Sequence, residues 1–127
     1  MEAQAKLYIQ DRIRSGDYEL VTSEIMLTEI NNCPFEVRQR GIFDFVEENS
    51  SLHVGASHNE EIDKNARIIM ETGVKYKDAC HVASAHVADC DYFITTDKRL
   101  LKYRDSKMKL MNPTSFIKET EGEDYDG

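Results

Sequence analysis

Two carboxylates, Asp78 and Asp97, stand where an α/β protein could gather negative charge. Lys77-Asp78-Ala79-Cys80-His81 opens a segment in which Ala79, Cys80, Val82, Ala83, Val87 and Ala88 recur at helical period, which predicts a helix over 76–90. Tyr92-Phe93-Ile94-Thr95-Thr96 is aromatic and β-branched and predicts a strand over 92–96, with Asp97 where the next helix would begin. In an open α/β sheet, ligands bind outside the carboxyl ends of the strands. One acid at a helix start and one at a strand end of the same sheet would suit a divalent cation. Mg²⁺ prefers such oxygen donors to His or Cys. Either acid alone has a plainer role, since a carboxylate at a helix N-terminus gains about 0.3–1 kcal/mol from the helix dipole.

The neighbours of these acids fit phosphate chemistry. His81 lies one turn after Asp78 and shares its helix face, which suits a polar contact at the rim of a cleft. The hydroxyls of Thr95 and Thr96 could hydrogen-bond Asp97 or a phosphate, although strand propensity explains them equally well. Lys98, Arg99, Lys102, Arg104, Lys107 and Lys109 follow directly, a basic run suited either to a phosphodiester or to a solvated face. Other chemistries are excluded. His81 and His86 are five apart and miss the i, i+4 zinc pair. There is no Gly-rich phosphate loop, no Gly-x-Ser-x-Gly elbow and no Cys/His nucleophile pair. A receiver domain would need an acidic pair near the N-terminus and an earlier lysine than Lys118.

Alternating helix and short strand positions these residues. The pattern predicts helices over 2–15, 24–32, 35–48 and 59–72, a strand over 19–23 and an edge strand over 52–55. Ser23 is placed to cap the helix that starts at Glu24, and Pro34 to occupy the first turn of the next. A short helix over 97–103, a strand over 108–111 and a turn at Asn112-Pro113 complete the order. This alternation predicts a three-layer α/β/α fold with a parallel sheet. The length of 127 residues predicts one domain.

These segments resemble the PIN-domain nucleases, the family of VapC-like toxins. Asp-Ala-Cys-His-Val-Ala from Asp78, and Ala-Asp-Cys-Asp-Tyr-Phe-Ile-Thr-Thr-Asp-Lys-Arg-Leu from Ala88, are similar to the family's last two acidic motifs. Tyr18 to Ser23 followed by Glu24 to Glu29 resembles its second strand and the helix carrying its Glu, which maps to Glu29. Lys109 to Ile117 resembles its final strand and Asn-Pro closing turn. The resemblance runs from about residue 2 to about 117. It implies a metal-dependent endoribonuclease, with Glu29, Asp78 and Asp97 catalytic and holding Mg²⁺ or Mn²⁺. His81, Thr95, Lys98 and Arg99 would face RNA. It further implies the toxin of a toxin–antitoxin pair, with an antitoxin protein and a second copy of the chain as partners. The other reading is a catalytically inactive PIN-like remnant that serves as a protein-interaction module.

One element of that pattern has no counterpart. The family opens on a central strand ending in its first Asp, whereas Glu2 to Ile9 reads as the helix that follows such a strand. Asp11 lies within this helix and Asp17 at its end. The expectation is a PIN-like domain over 1–117 lacking its first strand, destabilised unless strands 19–23 and 92–96 pair directly or a partner donates a strand.

Composition bounds the rest. The net charge of −8 argues against a general nucleic-acid coat. Glu119, Glu121, Glu123, Asp124 and Asp126 crowd the end of the chain, so residues 118–127 are expected to form an acidic, disordered tail. Three cysteines without a Cys-x-x-Cys spacing, and no apolar run of membrane-spanning length, lead to the expectation of a reducing, cytoplasmic setting.

Overall fold

Helical periodicity and β-branched runs resolve into an order of six helices and four strands in the computed structural model, which describes residues 2–122. That order is α1 (Glu2–Arg14), β1 (Leu20–Ser23), α2 (Glu24–Asn31), α3 (Glu36–Asn49), β2 (Ser50–Val54), α4 (Asn59–Met70), α5 (Tyr76–Val87), β3 (Tyr92–Ile94), β4 (Lys109–Met111) and α6 (Pro113–Glu121). Short 3-10 turns occur at Ala56–His58 and Leu100–Lys102. The protein is mixed α/β. Where the length led to one domain, the chain divides into two compact units. Glu19–Cys90 forms one, and the residues up to Tyr18 join those from Asp91 onward in the other. Strands pair within each unit, β1 parallel to β2 and β3 parallel to β4, giving two two-stranded sheets rather than one. No described helix is long and apolar enough to cross a membrane.

In the unit Glu19–Cys90, Ser23 caps α2 as its sequence position foretold, its hydroxyl oxygen accepting from the Met26 amide at 3.2 Å. A two-stranded sheet alone is marginal in water; here α2, α3 and α5 all pack on β1. Register sets Thr22 opposite His53 and Ser23 opposite Val54. Behind the sheet, α4 packs along α5. Ile62, Ala66 and Ile69 recur on one face of α4, and Ala79, Cys80, Val82, Ala83, Ser84 and Ala85 form the buried part of α5. The small side chains let the two helices approach closely. Gly73 takes a positive φ of 102° just beyond α4, where an L-residue would be strained. Pro34 lies before α3 rather than in its first turn, which begins at Glu36 without a side-chain cap.

The other unit is built on a contact between the two ends of the sequence. Ala5 of α1 and Phe116 and Ile117 of α6 are fully or almost fully buried, with Tyr8, Ile9, Tyr18, Tyr92, Ile94 and Met111 packed around them. Phe116 meets Tyr18 and Tyr92 edge-on, with centroids 5.1 and 4.9 Å apart. Polar ties flank this core. The Tyr18 hydroxyl donates to Glu121 at 2.8 Å, and Lys109 Nζ donates to Glu119 at 2.9 Å. Those bonds hold the Glu121 and Glu119 carboxyls below their ordinary range.

Three expectations are corrected here. Asn112-Pro113 is not a closing turn but the start of α6, with Asn112 Oδ1 accepting from the Ser115 amide at 2.7 Å and Pro113 in the first turn. The expected tail from 118 therefore begins inside a helix that runs to Glu121, anchored by Phe116, Ile117 and the two glutamates. Residues 123–127, also part of that expected tail, lie outside the described residues. The expected helix over 97–103 shrinks to the 3-10 turn Leu100–Lys102, whose start Asp97 caps by accepting from the Arg99 and Leu100 amides, while Asp105 closes a separate turn onto the Lys107 and Met108 amides.

Candidate functional site

Glu29 occupies the last turns of α2, while Lys77, Asp78 and His81 occupy the first two turns of α5. These helices pack on each other. His81 Nε2 stands 3.1 Å from Glu29 Oε1, and Lys77 Nζ lies 3.7 Å from the same oxygen. His81 is mostly covered, with 18% of its side chain exposed, against 41% for Glu29 and 71% for Lys77. The result is a carboxylate at a helix C-terminus held between two basic groups that enter from a helix N-terminus. Asp78 lies half-buried in the first turn of α5, and its carboxylate makes no ion pair or hydrogen bond among the described residues. The other glutamate of α2 turns elsewhere: Glu24 Oε1 lies 3.0 Å from His53 Nε2. The five-residue separation rotates it well away from Glu29.

The remaining predicted residues belong to the other unit. Thr95 extends the β3–β4 ladder, its amide donating to the Met111 carbonyl at 3.0 Å. Its hydroxyl oxygen accepts from the Asp97 amide at 3.1 Å. Asp97 Oδ1 accepts from the amides of Arg99 at 2.8 Å and Leu100 at 3.3 Å, so this acid caps the 3-10 turn. Lys98 and Arg99 are exposed and form no ion pair among the described residues. Arg104 donates to the Leu101 carbonyl at 3.2 Å and so braces the turn instead of standing free. The structure thus brings Glu29, Lys77 and His81 together in one unit and groups Thr95 with Asp97 in the other.

No family model, curated protein or solved structure matches the chain. The site's chemistry is read from its own groups. Asp78 and Asp97 supply carboxylate oxygens of the kind Mg²⁺ prefers. Glu29 supplies another, but with its Oε1 facing His81 and Lys77. Among the described residues no group of three or more His, Cys, Asp or Glu side chains converges to hold a metal ion.

Sequence reasoning missed a second polar cluster. The Thr22 hydroxyl, on a residue only 2% exposed, lies 2.8 Å from His53 Nδ1 and 2.9 Å from the Ser50 hydroxyl. His53 continues to Glu24 on its other nitrogen. A hydroxyl, an imidazole and a carboxylate thus join β1, β2 and α2. Burial of Thr22 bars it from meeting a substrate, so the chain acts as a pin between strands and helix. Only the pairing of Thr22 with His53 reveals it, and that register is set by packing. A third cluster joins α4 to α5: Tyr76 donates to Asp63 at 2.6 Å and Arg67 to the same carboxylate at 3.0 Å, and the two bonds lower the Asp63 pKa, that from Tyr76 most.

Proposed function

We propose that this chain is a PIN-like, metal-dependent endoribonuclease that hydrolyses phosphodiester bonds of single-stranded or structured RNA. In this reading it is the toxin of a toxin–antitoxin pair and acts in the cytoplasm, and its three-layer fold lacks the first, central strand. The observation that carries the reading is the meeting of Glu29 with His81 and Lys77. The helix resembling the family's Glu helix and the helix opening on its Asp-x-x-His lie against each other, with the acid of one facing the basic groups of the other.

By the resemblance, Asp78 and Glu29 would offer carboxylate oxygens to Mg²⁺ or Mn²⁺, with Asp97 the third acid of the family's pattern; such an ion when bound lowers the pKa of a water and neutralises charge on the reacting phosphate. Lys77 and His81 balance the charge of Glu29, a role that a cation would share. Thr95 fixes the backbone of Asp97 through its hydroxyl. Lys98 and Arg99 offer exposed positive charge to the RNA backbone. A second reading, an inactive PIN-like remnant acting as a protein-interaction module, draws on the plain roles the acids already fill. Glu29 pairs with two basic groups and Asp97 caps a turn.

Cleavage of single-stranded RNA by the whole chain separates the two. Asp97→Asn is the telling variant, because its amide oxygen still accepts from Arg99 and Leu100 while the charge is gone. The nuclease reading expects cutting with Mg²⁺ or Mn²⁺ that EDTA abolishes and that Asp97→Asn and Asp78→Asn each reduce by about a hundredfold or more. A folded preparation that cuts no RNA with either ion decides for the module.

A further inference from the structure

Tyr76 opens α5 with its ring in solvent and its hydroxyl tied down. The ring is 44% exposed. Its hydroxyl donates to Asp63 of α4 at 2.6 Å, and that bond raises the Tyr76 pKa, so the hydroxyl stays a donor. Arg67 donates to the same carboxylate at 3.0 Å and holds its guanidinium over the ring, 5.7 Å from the centroid. These bonds fix where the ring points, and they leave much of its apolar surface uncovered. Phe35 and Phe43, the other exposed aromatic side chains among the described residues, have no such polar anchor. Tyr76 is therefore the exposed ring whose orientation is set before anything meets it, which spares a ligand the cost of ordering it.

The ring stands beside the candidate site. Tyr76, Lys77 and Asp78 follow one another in the first turn of α5, within an axial rise of about 5.4 Å. Tyr76 turns to α4, whereas Lys77 and His81 turn to Glu29 of α2. Lys75, just before the helix, is exposed and forms no ion pair among the described residues. An aromatic ring thus lies between two lysines in sequence, with a guanidinium against it. That combination suits a nucleotide whose base is unpaired. Every base has a π-face that stacks on an aromatic ring, while ammonium groups meet the phosphates. Inside a duplex both faces of a base are already covered by its neighbours, so such a ring favours an open strand.

We propose that Tyr76 is a stacking platform for an unpaired base of the RNA next to the phosphate at the candidate site, with Lys75 against the adjoining backbone, so that the chain selects single-stranded over duplex RNA. The proposal takes its ligand from the nuclease reading and adds the base contact which that reading lacks. Tyr76 binds and positions the strand and transfers no proton.

Fluorescence anisotropy of a short, end-labelled single-stranded RNA tests it, with the whole chain in Ca²⁺. A gel confirms that the RNA stays intact, and circular dichroism that each variant folds. An abasic ribose-phosphate oligomer of the same length, with the backbone and no bases, is the comparison. Tyr76→Ala should raise the Kd for the RNA by about tenfold or more, equivalent to at least about 1.4 kcal/mol, and leave that for the abasic oligomer unchanged. Tyr76→Phe, which keeps the ring and loses the Asp63 bond, should retain most of the affinity. The preference for the single strand over an RNA duplex of the same length should shrink in Tyr76→Ala. An equal loss on RNA and abasic oligomer assigns Tyr76 to holding α4 on α5 and overturns the proposal, as does an unchanged Kd for RNA. If Tyr76→Ala does not fold, Tyr76→Leu, which keeps apolar bulk without a π-face, decides in its place. RNA that is cut with Mg²⁺ but bound without regard to Tyr76 sinks the platform alone. RNA bound through Tyr76 and never cut supports the platform and sinks the nuclease, and a chain that binds no RNA sinks both.

Discussion

At the scale of single residues, the chain spends its polar side chains on backbone and helix ends as much as on chemistry. Asp97 shows this most clearly. A carboxylate after a strand reads as a metal ligand, yet its Oδ1 stops two amides from being left unpaired. Thr22 shows the converse. Nothing in its sequence neighbourhood marks it, but its hydroxyl holds β1 to Ser50 and His53 while almost wholly buried. Thr22→Val keeps the branched shape and removes the hydroxyl. It should lower unfolding free energy by about 1–2 kcal/mol, read as a shift of the urea midpoint with unchanged slope. A shift no larger than that of Ser51→Ala, at an exposed position of β2, would show the pin to be idle.

At the scale of elements, the long periodic segments were legible and the places where side chains compete with the backbone were not. Helices α1, α2, α4 and α5 follow from apolar spacing, and Ser23 marks the start of α2 correctly. Helix α6 did not follow, because glutamate density in the last residues suggested solvation. Its actual determinants, Asn112 as cap, Pro113 in the first turn and the buried pair Phe116-Ile117, were all present in the sequence. They became decisive only through Ala5, Tyr18 and Tyr92, which lie far away along the chain. Asn112→Ala should cost about 1 kcal/mol through the lost cap, a loss that Asn112→Asp should largely avoid; matched thermal melts of the two variants provide the check. In the candidate site, the approach of Glu29 to His81 was not legible in the sequence, since it depends on how α2 packs on α5.

At the scale of the whole molecule, the net charge of −8 and the paired carboxylates act together on acidification. Asp63 in one unit and Glu119 and Glu121 in the other are all held below their ordinary values of 3.8 and 4.5 by hydrogen bonds to Tyr76, Lys109 and Tyr18. Because each folded-state value is depressed, its stabilisation is complete above the unfolded value and is lost as pH falls through the folded one. Melting temperature should therefore hold nearly level from pH 7 to about 5 and fall below about 4.5, in both units over the same window. Glu119→Gln with Glu121→Gln should lower it at pH 7 and flatten the acid limb. A melting curve just as steep in acid for that double variant would remove these two groups from the account.

The division of the chain also fixes an order of assembly during synthesis. Glu19–Cys90 is contiguous, so every contact it needs is present once Cys90 has left the ribosome. The residues before it have no such option. Ala5 waits for Phe116 and Ile117, and until these emerge α1 is a nascent segment carrying Tyr8 and Ile9 without a core to enter. The segment before Glu19 is thus made ahead of Glu19–Cys90 yet finished after it, and for that interval Tyr8 and Ile9 are open to whatever chaperone or partner meets the growing chain first.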